Sequence, residues 1–454
     1  MSRSPRSGHS RSGHRRPAAG RPASSRTLEI LISSIGGRGD GVGTADGQTV
    51  YVPGTVPGDR ALIRIEGRRA DGLVGSVIEL SAPGPARRPP ACPHFGVCGG
   101  CSLQHLEDGA YADWKSGQLV SALRRAGFAP DLVAPMVRVA PGSRRRASFA
   151  FLRRRNGVLF GFNARASHHL VDIDACPLLA PSLLTLAAPI RELLAATVEE
   201  GIGGDVLVTL TDNGLDLLIE AEARLDLFDR ERLAAFAGTH DLARLSWRRP
   251  GGGMPGAGIK GGAMIEPLAH RRPAVVRFAD VPVEPPPGAF LQPSPEGEQA
   301  LVSLVTGAVG AGDGPVADLF AGCGSFSFPL ARLSAVHAVE GDAAALSALK
   351  AAADRAGARV SALCRDLGHR PLLGPELEKY RVVVFDPPRA GAAPQAEQLA
   401  GAGPRRVVAV SCNPATLARD ARILAGGGYR LLRATPVDQF PWSAHLETVA
   451  VFER

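Results

Sequence analysis

The sequence predicts a multidomain protein with three folded parts: an N-terminal OB-like β-barrel, a mixed α/β central domain, and a C-terminal Rossmann-like α/β domain. Short strand patterns separated by Gly-rich turns fill residues 27–81, as in small barrels. Residues 82–285 mix strand and helix patterns and begin with a cysteine-rich loop. In residues 286–454 apolar strands alternate with helical patterns, which indicates a doubly wound parallel sheet. Residues 1–26 are predicted to form a disordered basic tail.

The charge balance indicates a partner rich in phosphate. The 454 residues include 52 Lys and Arg against 44 Asp and Glu, and only four of the basic residues are lysines. Arginine suits phosphate, and a basic chain attracts nucleic acid. A general bias toward Ala, Gly, Arg and Pro explains the same counts equally well. No run of 18 apolar residues is present, so we expect no membrane partner, and we expect a monomer.

The cysteines indicate a reducing compartment, and we therefore expect a cytoplasmic protein. Cys92, Cys98 and Cys101 lie on one short loop, and Cys176 is a distant fourth candidate. Three thiolates on a tight loop can hold one side of a metal centre, and a fourth can close it. Four thiolates suit either zinc or an iron–sulfur cluster, so the spacing predicts a metal but leaves its identity open.

Two features outside the cysteine loop suggest contact with RNA. The barrel belongs to a class that often binds single-stranded nucleic acid; the alternative is a structural barrel that only packs on its neighbour. Arginines at residues 144–146 and 153–155 flank an apolar strand pattern at residues 147–152. They indicate either a surface that contacts phosphates or a solvated edge strand that is protected by charge.

The C-terminal domain carries the pattern of a cofactor site. The strand predicted at residues 316–320 precedes a loop with two glycines, and Glu340 follows the next strand, at residues 336–339. Glycines let a ligand approach the backbone closely, and an acid at the second strand end can bind ribose hydroxyls. Ser327 stands where the dinucleotide pattern would have its third glycine, which favours S-adenosylmethionine.

Two further strand ends carry reactive groups. Asp386 follows the strand pattern at residues 382–385, and Cys412 follows the apolar run at residues 407–410. Ligands bind at the carboxyl ends of strands in open α/β sheets, so we expect both side chains at one crevice. Cys412 is a candidate nucleophile, although most isolated cysteines are structural thiols.

These motifs together resemble the RNA uracil-C5 methyltransferase family, and most closely the bacterial branch that combines a TRAM domain with a four-cysteine cluster and acts on 23S ribosomal RNA. The resemblance covers residues 27–454. It rests on CPHFGVCGGC at 92–101, FLQ at 290–292, DLFAGCGSFS at 318–327, DPPRAG at 386–391, SCNP at 411–414 and HLETVA at 445–450.

The resemblance implies a TRAM fold for the barrel and a role for each matched residue. Cys412 is implied to be the nucleophile and Glu447 the general base. The implied S-adenosylmethionine site consists of Gln292, Phe320, Ser325, Glu340, Asp366 and Asp386. The implied [4Fe–4S] ligands are Cys92, Cys98, Cys101 and Cys176. Two positions depart from the family: Ser294 stands where Asn is frequent, and the ribosomal branch can have Asn in place of Ser325.

The implied reaction follows from the chemistry of uracil. Its C5 becomes nucleophilic once a thiolate adds to C6, and a base must later remove the C5 proton so that the cysteine is expelled. The target base must be extruded or single-stranded. We expect 5-methyluridine in 23S rRNA, with tRNA as the second choice of substrate.

Two other hypotheses remain. A cytosine-C5 methyltransferase normally has a Pro-Cys or Thr-Cys pair, whereas Ser411 precedes Cys412 here. A non-catalytic RNA-binding or ribosome-assembly factor would keep the fold, but it would not need Glu340, Asp386, Cys412 and Glu447 together.

Overall fold

The computed structural model describes residues 26–69, 71–250 and 264–454. The basic tail and nearly all of the Gly/Pro-rich loop expected near residues 250–258 lie outside the described residues. The chain forms two compact units: one contains residues up to Gly36 together with Asp40–Pro85, and the other contains Gly37–Gly39 and Ala86–Arg454. Within the described part of the chain, none of the helices has the length and apolarity needed to span a membrane.

The first unit is a closed five-stranded barrel, as the regular spacing of Gly-rich turns predicts. Its strands are β1 (Thr27–Ile35), β2 (Gly41–Ala45), β3 (Gln48–Val52), β4 (Arg60–Arg69) and β5 (Gly72–Ala82). They close in the order β1-β2-β3-β5-β4. The short strand β2 escaped prediction because buried glycines replace its apolar side chains. A Cβ at Gly43 would lie 2.6 Å from the carbonyl oxygen of Leu31, so the barrel wall requires glycine there.

The second unit begins with a seven-stranded, mainly antiparallel sheet and the helices that cover it. Its elements are α1 (Asp108–Arg125), β6 (Val137–Arg138), β7 (Arg146–Arg154), β8 (Gly157–Asn163), β9 (Leu170–Asp172), α2 (Pro181–Thr185), α3 (Ala187–Thr197), β10 (Gly203–Thr211), β11 (Gly214–Ala221), α4 (Leu227–Thr239), β12 (Arg244–Arg248), β13 (Ile265–His270), β14 (Val276–Phe278) and β15 (Val281–Val283). The strand order is β13-β12-β11-β10-β7-β8-β9.

The arginine-flanked strand β7 lies inside this sheet, between β10 and β8. The edge-strand alternative is therefore wrong for β7. Arg145 is also not a phosphate contact: it is 7% exposed and donates to the Glu298 carboxylate at 2.7 Å. A buried guanidinium needs such a partner because an unpaired buried charge is costly.

The remainder of the second unit is an α/β domain with an eight-stranded sheet. Its elements are α5 (Pro295–Val309), β16 (Val316–Leu319), α6 (Ser327–Ala331), β17 (Val336–Glu340), α7 (Ala343–Ala356), β18 (Val360–Cys364), α8 (Gly374–Leu377), β19 (Val382–Phe385), α9 (Ala393–Ala402), β20 (Arg406–Ser411), α10 (Pro414–Gly426), β21 (Arg430–Asp438) and β22 (Glu447–Glu453). The strand order is β18-β17-β16-β19-β20-β22-β21-β6.

This sheet is mixed, whereas the sequence predicted a purely parallel one. The strands from β18 to β20 are parallel, but β22 is antiparallel to both β20 and β21. The cause is the connection: a short loop joins β21 to β22, and only a helix-length crossover allows two neighbouring strands to be parallel. The first residue of β22 therefore lies beside the carboxyl ends of the parallel strands.

Candidate active site

Cys412 and Glu447 come together because of the register between β20 and β22. Ser411 is paired with Thr448, so the next two residues, Cys412 and Glu447, face each other where the strands end. Both side chains line a cavity of about 570 Å³. Glu447 is 5% exposed and Cys412 is half-buried.

The thiol of Cys412 is held in its neutral form in this structure. Burial first, and then the negative charges of Glu447 and Asp386, raise its pKa to about 11, while Arg389 opposes the rise. A thiolate therefore requires additional positive charge or removal of the negative charges. Binding of a cationic ligand beside the two carboxylates supplies such a change.

Asp386 and Glu447 form a buried pair of carboxyl groups. Burial raises the pKa of Glu447, and a hydrogen bond from Gln439 opposes that rise. Burial and the charge of Glu447 raise the pKa of Asp386 well above its usual range. Two acids in one apolar site cannot both ionise cheaply, so one of them is held ready to exchange a proton near neutral pH.

Two glutamines connect these carboxyl groups. The Gln439 Nε2 atom donates to Gln292 Oε1 at 2.7 Å, and Gln292 Nε2 donates to Asp386 Oδ2 at 3.5 Å. Both glutamines are 3% exposed. Gln292 was a sequence-based candidate, but Gln439 was missed because a single Gln next to a strand end has no distinguishing spacing.

The glycine loop after β16 has the geometry expected of a ligand-binding turn. Phe320 adopts φ = 63°, which is strained for a residue with a side chain, and Gly322 has φ = 55°. The Glu340 carboxylate accepts from the backbone N–H groups of Gly322 at 2.9 Å and Asp342 at 2.7 Å. Glu340 is therefore fixed at the end of β17 beside the loop.

The other two candidates for the cofactor site are placed less centrally. Asp366 follows β18 on the exposed surface, where its carboxylate accepts from the Gly368 N–H and contacts His369. Ser325 lines a separate cavity of about 310 Å³, together with Glu298 and Thr306. The described contacts thus do not bring Ser325 together with Asp386 and Gln292.

Asp318 is a buried acid to which sequence reasoning gave no role. Its Oδ2 atom accepts from the Ser327 hydroxyl at 2.5 Å, and its Oδ1 atom has no hydrogen-bond partner among the described residues. Burial raises its pKa to about 7, and Asp386 and Glu340 add to the rise. Asp318 therefore holds Ser327, which follows the loop after β16, and lies within electrostatic reach of Asp386 and Glu340.

The four predicted metal ligands line the same cavity as Cys412 and Glu447. All four are half-buried free thiols. Burial first, and then the charges of the other three cysteines, raise the pKa of Cys101 to about 12, while a hydrogen bond with Gln104 opposes the rise. The four sulfurs therefore lie within electrostatic reach of one another. The Gly100 N–H donates to Cys98 Sγ at 3.4 Å, and such N–H···S contacts are typical around thiolate-bound clusters.

A contact between two loops brings the distant Cys176 to the others. His94, on the cysteine loop, contacts the Asp174 carboxylate at 2.7 Å, and Cys176 follows two residues later. Across residues 26–69, 71–250 and 264–454, no three His, Cys, Asp or Glu side chains are arranged so as to hold one metal ion. The donor chemistry suits a metal centre, but the sulfurs do not converge on a single point.

A second cavity, of about 590 Å³, opens beside the same thiol and is basic. It shares Cys412, Arg389 and His445 with the first cavity, and Arg125 and Arg165 also line it. Its lining residues in the described chain include no Asp or Glu. This surface is suited to a chain of phosphates that leads toward Cys412.

The fold and the site define a class of enzyme. A doubly wound sheet with a glycine loop after one strand and an acid after the next is the architecture of S-adenosylmethionine-dependent methyltransferases. The family described as tRNA (Uracil-5-)-methyltransferase matches residues 280–454, and the TRAM domain matches residues 25–78.

Related proteins match nearly the whole chain. An uncharacterized RNA methyltransferase of Brucella suis is 43% identical over 437 residues, which cover 95% of this chain and 99% of that protein. A protein of Alkalilimnicola ehrlichii named 23S rRNA (uracil(1939)-C(5))-methyltransferase is 34% identical over 439 residues, covering 94% and 96%. The chain belongs to the RNA uracil-C5 methyltransferase family and is an S-adenosylmethionine-dependent enzyme.

A solved structure has the same fold. The tRNA (uracil-54, C5)-methyltransferase of Pyrococcus abyssi, in complex with S-adenosyl-L-homocysteine, superimposes with a TM-score of 0.71 at 23% identity. The match covers 94% of this chain and 100% of that one. At this identity the likeness establishes the fold alone, a TRAM barrel followed by a methyltransferase domain.

Proposed function

We propose that the protein methylates C5 of one uridine in 23S rRNA, with Cys412 as the nucleophile and Glu447 as the general base. The observation that carries this proposal is the register that places the two side chains opposite each other in one cavity. Covalent catalysis at uracil requires a thiol and a base at the same site.

In the proposed reaction Cys412 and Glu447 act at different steps. The Cys412 thiol first loses its proton to solvent, which the nearby positive charge of the bound cofactor would favour. Its Sγ then bonds to C6 of the uracil, and the electron pair of the C5–C6 bond becomes available at C5. S-Adenosylmethionine, when bound at Gln292, Glu340 and Asp386, supplies the methyl group to C5. Glu447 takes the C5 proton, the C5–C6 double bond re-forms, and the thiolate of Cys412 leaves.

The cavity suits a single extruded base. Phe290, Phe440 and Pro441 contribute apolar surface to its wall, and Phe290 is 67% exposed. Arg389 and His445 lie beside Cys412, and the Arg389 Nη2 atom donates to His445 Nδ1 at 3.2 Å. Burial, and then the charge of Arg389, lower the pKa of His445, so a neutral imidazole faces the base.

The choice of 23S rRNA rests on the full-length relatives. The relative named as a 23S rRNA enzyme matches over 94% of this chain at 34% identity. The solved enzyme named for tRNA is 23% identical, and tRNA therefore remains the second candidate.

We also propose that Cys92, Cys98, Cys101 and Cys176 hold a [4Fe–4S] cluster. Four thiolates are the donor set of such a cluster, and these four half-buried thiols line one cavity. Zinc takes the same donor set, so the iron and sulfide content of the protein distinguishes the two metals. A bound cluster would hold the cysteine loop in place beside the substrate.

Methyl transfer from labelled S-adenosylmethionine to unmodified 23S rRNA and to tRNA, followed by nucleoside mass spectrometry, tests the proposal. We expect 5-methyluridine in 23S rRNA alone. A product in tRNA alone would reject the choice of substrate. RNA binding without methylation of either RNA would favour the non-catalytic binding factor.

A further inference from the structure

We propose that Gln439 is a positioning residue that joins Gln292, on the cofactor side of the site, to the general base Glu447. This inference rests on the proposed function, because it assigns Gln439 to the step in which Glu447 removes the C5 proton. Three observations support the inference: the hydrogen bonds of Gln439, the packing around its side chain, and the network that fixes the neighbouring backbone.

The contacts of Gln439 lead in two directions. An amide nitrogen has two N–H groups, and Gln439 Nε2 donates to Gln292 Oε1 at 2.7 Å. Gln439 also directly follows β21, in which Val437 is paired with Glu447, and a hydrogen bond from Gln439 lowers the pKa of the Glu447 carboxyl. Because Gln292 continues to Asp386 at 3.5 Å, the two carboxyl groups are linked through two amides.

The fold makes room for this side chain at one particular glycine. Gly297 lies in the first turn of α5, and a Cβ there would sit 2.5 Å from Gln439 Oε1 and 2.7 Å from Gln439 Cβ. Real Cβ atoms essentially never approach so closely, so the absence of a side chain at Gly297 allows Gln439 to adopt its position.

The backbone next to Gln439 is held by a buried charge network. Lys115 Nζ donates to Asp438 Oδ1, to the Tyr111 hydroxyl at 2.9 Å and to the Phe440 carbonyl at 2.9 Å. The Tyr111 hydroxyl in turn donates to Asp438 Oδ2 at 2.7 Å. Residues 438 and 440 are therefore both anchored to α1, and Gln439 between them has little freedom to move.

The expected consequence is a lower pKa for the base. A hydrogen bond donated to a carboxylate stabilises its charged form. The titratable groups that face Glu447 are Asp386 at the end of β19 and Cys412 at the end of β20, with Arg389 and His445 in the same cavity. Unlike these groups, the Gln439 amide does not titrate, so it stabilises the ionised carboxylate of Glu447 without competing for its proton.

The test replaces Gln439 with an apolar side chain of similar length, in Gln439→Met. Single-turnover methylation of 23S rRNA is measured from about pH 6 to about pH 9, and the covalent protein–RNA complex is followed on denaturing gels. Loss of the hydrogen bond should raise the pH of half-maximal rate by about 1 pH unit. The covalent complex should persist roughly tenfold longer, because Cys412 is expelled only after Glu447 has removed the C5 proton.

Two further variants separate positioning from folding. Gln395→Met is a matched control, because Gln395 is fully buried and, among the described residues, its amide bonds only the Leu372 N–H at 2.8 Å and carbonyl at 3.1 Å. It should lower thermal stability without moving the pH profile. Gly297→Ala displaces Gln439 while keeping its amide, and Ala suits a helix better than Gly, so it should move the profile in the same direction as Gln439→Met.

The outcomes are distinct. An unchanged pH profile and complex lifetime in Gln439→Met, or an equal loss of rate at every pH, would overturn the positioning role. If the wild-type protein forms no covalent complex and makes no 5-methyluridine, the proposed function fails, and the inference falls with it. A shift in Gln439→Met and Gly297→Ala but not in Gln395→Met supports it.

Discussion

Cys412 and Glu447 are 35 positions apart in the sequence, yet the pairing of Ser411 with Thr448 sets them opposite each other. The antiparallel strand β22 produces this arrangement. A purely parallel sheet would put the start of its last strand at the opposite edge, far from the thiol. The hairpin of β21 and β22 therefore delivers the base to the nucleophile.

The first prediction concerns the nucleophile. Cys412→Ala should lose methyl transfer and form no covalent RNA complex, because it removes the thiol that the strand register sets opposite Glu447. RNA affinity should stay within about twofold of the wild type, since phosphate contacts dominate binding. Filter binding and label incorporation check both properties. Cys364→Ala, which removes an exposed cysteine of the same domain, is the control and should remain active; methylation by Cys412→Ala would disprove the assignment.

The second prediction concerns the stability cost of the buried base. Burial raises the pKa of Glu447 to about 7, above its value of about 4.3 in an unfolded chain. The folded state therefore gains from the protonated form below the unfolded pKa and loses that gain as the pH rises toward about 7.

Glu447→Gln removes this ionisation. It should have little effect on stability near pH 4 and should stabilise the protein by about 3 kcal/mol above pH 7. Urea unfolding at several pH values measures the difference. A stability difference that is independent of pH would show that Glu447 titrates normally. Glu453→Gln, at the far end of the same strand, is the matched control.

Much of the fold was accessible from the sequence. Strand β19 and residues 407–410 of β20 are apolar throughout because they are buried on both faces of the sheet. The position of these strands and the polar residues that follow them, Asp386 and Cys412, could therefore be predicted. The OB-like barrel is confirmed, although the glycine-rich strand β2 was missed. The antiparallel direction of β22 was not predicted, because a short apolar pattern does not show in which direction its strand runs in the sheet.

From the sequence pattern, site residues could be predicted only where they stand at the ends of strands. Glu340, Asp386 and Cys412 lie at such ends, and the structure places them there. Gln439 and Asp318 act through burial and side-chain contacts, which the linear sequence does not contain. Arg145 misled for the same reason: its charge indicated the surface, but it is paired with Glu298 inside the protein.

The third prediction concerns the cysteine loop. Protein purified without oxygen should be brown and absorb near roughly 400 nm, as four-thiolate iron–sulfur ligation produces. Cys101→Ser should lose this absorption together with bound iron and sulfide, whereas Cys364→Ser should keep all three. A colourless wild-type protein with one equivalent of zinc would reject the cluster.

The fourth prediction concerns the network that anchors the catalytic hairpin. Lys115 and Asp438 are 0% and 2% exposed, and Lys115→Met leaves the Asp438 carboxylate buried without its cation. Breaking a buried pair in this way costs about 3–5 kcal/mol, which thermal unfolding should detect. Lys350→Met, on the exposed face of α7, should change stability by less than about 0.5 kcal/mol; equal effects of the two variants would show that the Lys115 network is not stabilising.

The fifth prediction concerns the basic cavity beside Cys412. Arg125 and Arg165 line it, and each contact with a phosphate releases a counterion when RNA binds. Arg125→Ala and Arg165→Ala should each reduce the slope of log affinity against log salt concentration by about 1. Arg355→Ala, on the exposed last turn of α7, should leave the slope unchanged. The rate of methylation at saturating RNA should stay near the wild-type value, because neither arginine contacts Glu447 or Asp386 in the described structure. If both arginine variants kept the wild-type slope, the RNA would have to reach Cys412 along another surface.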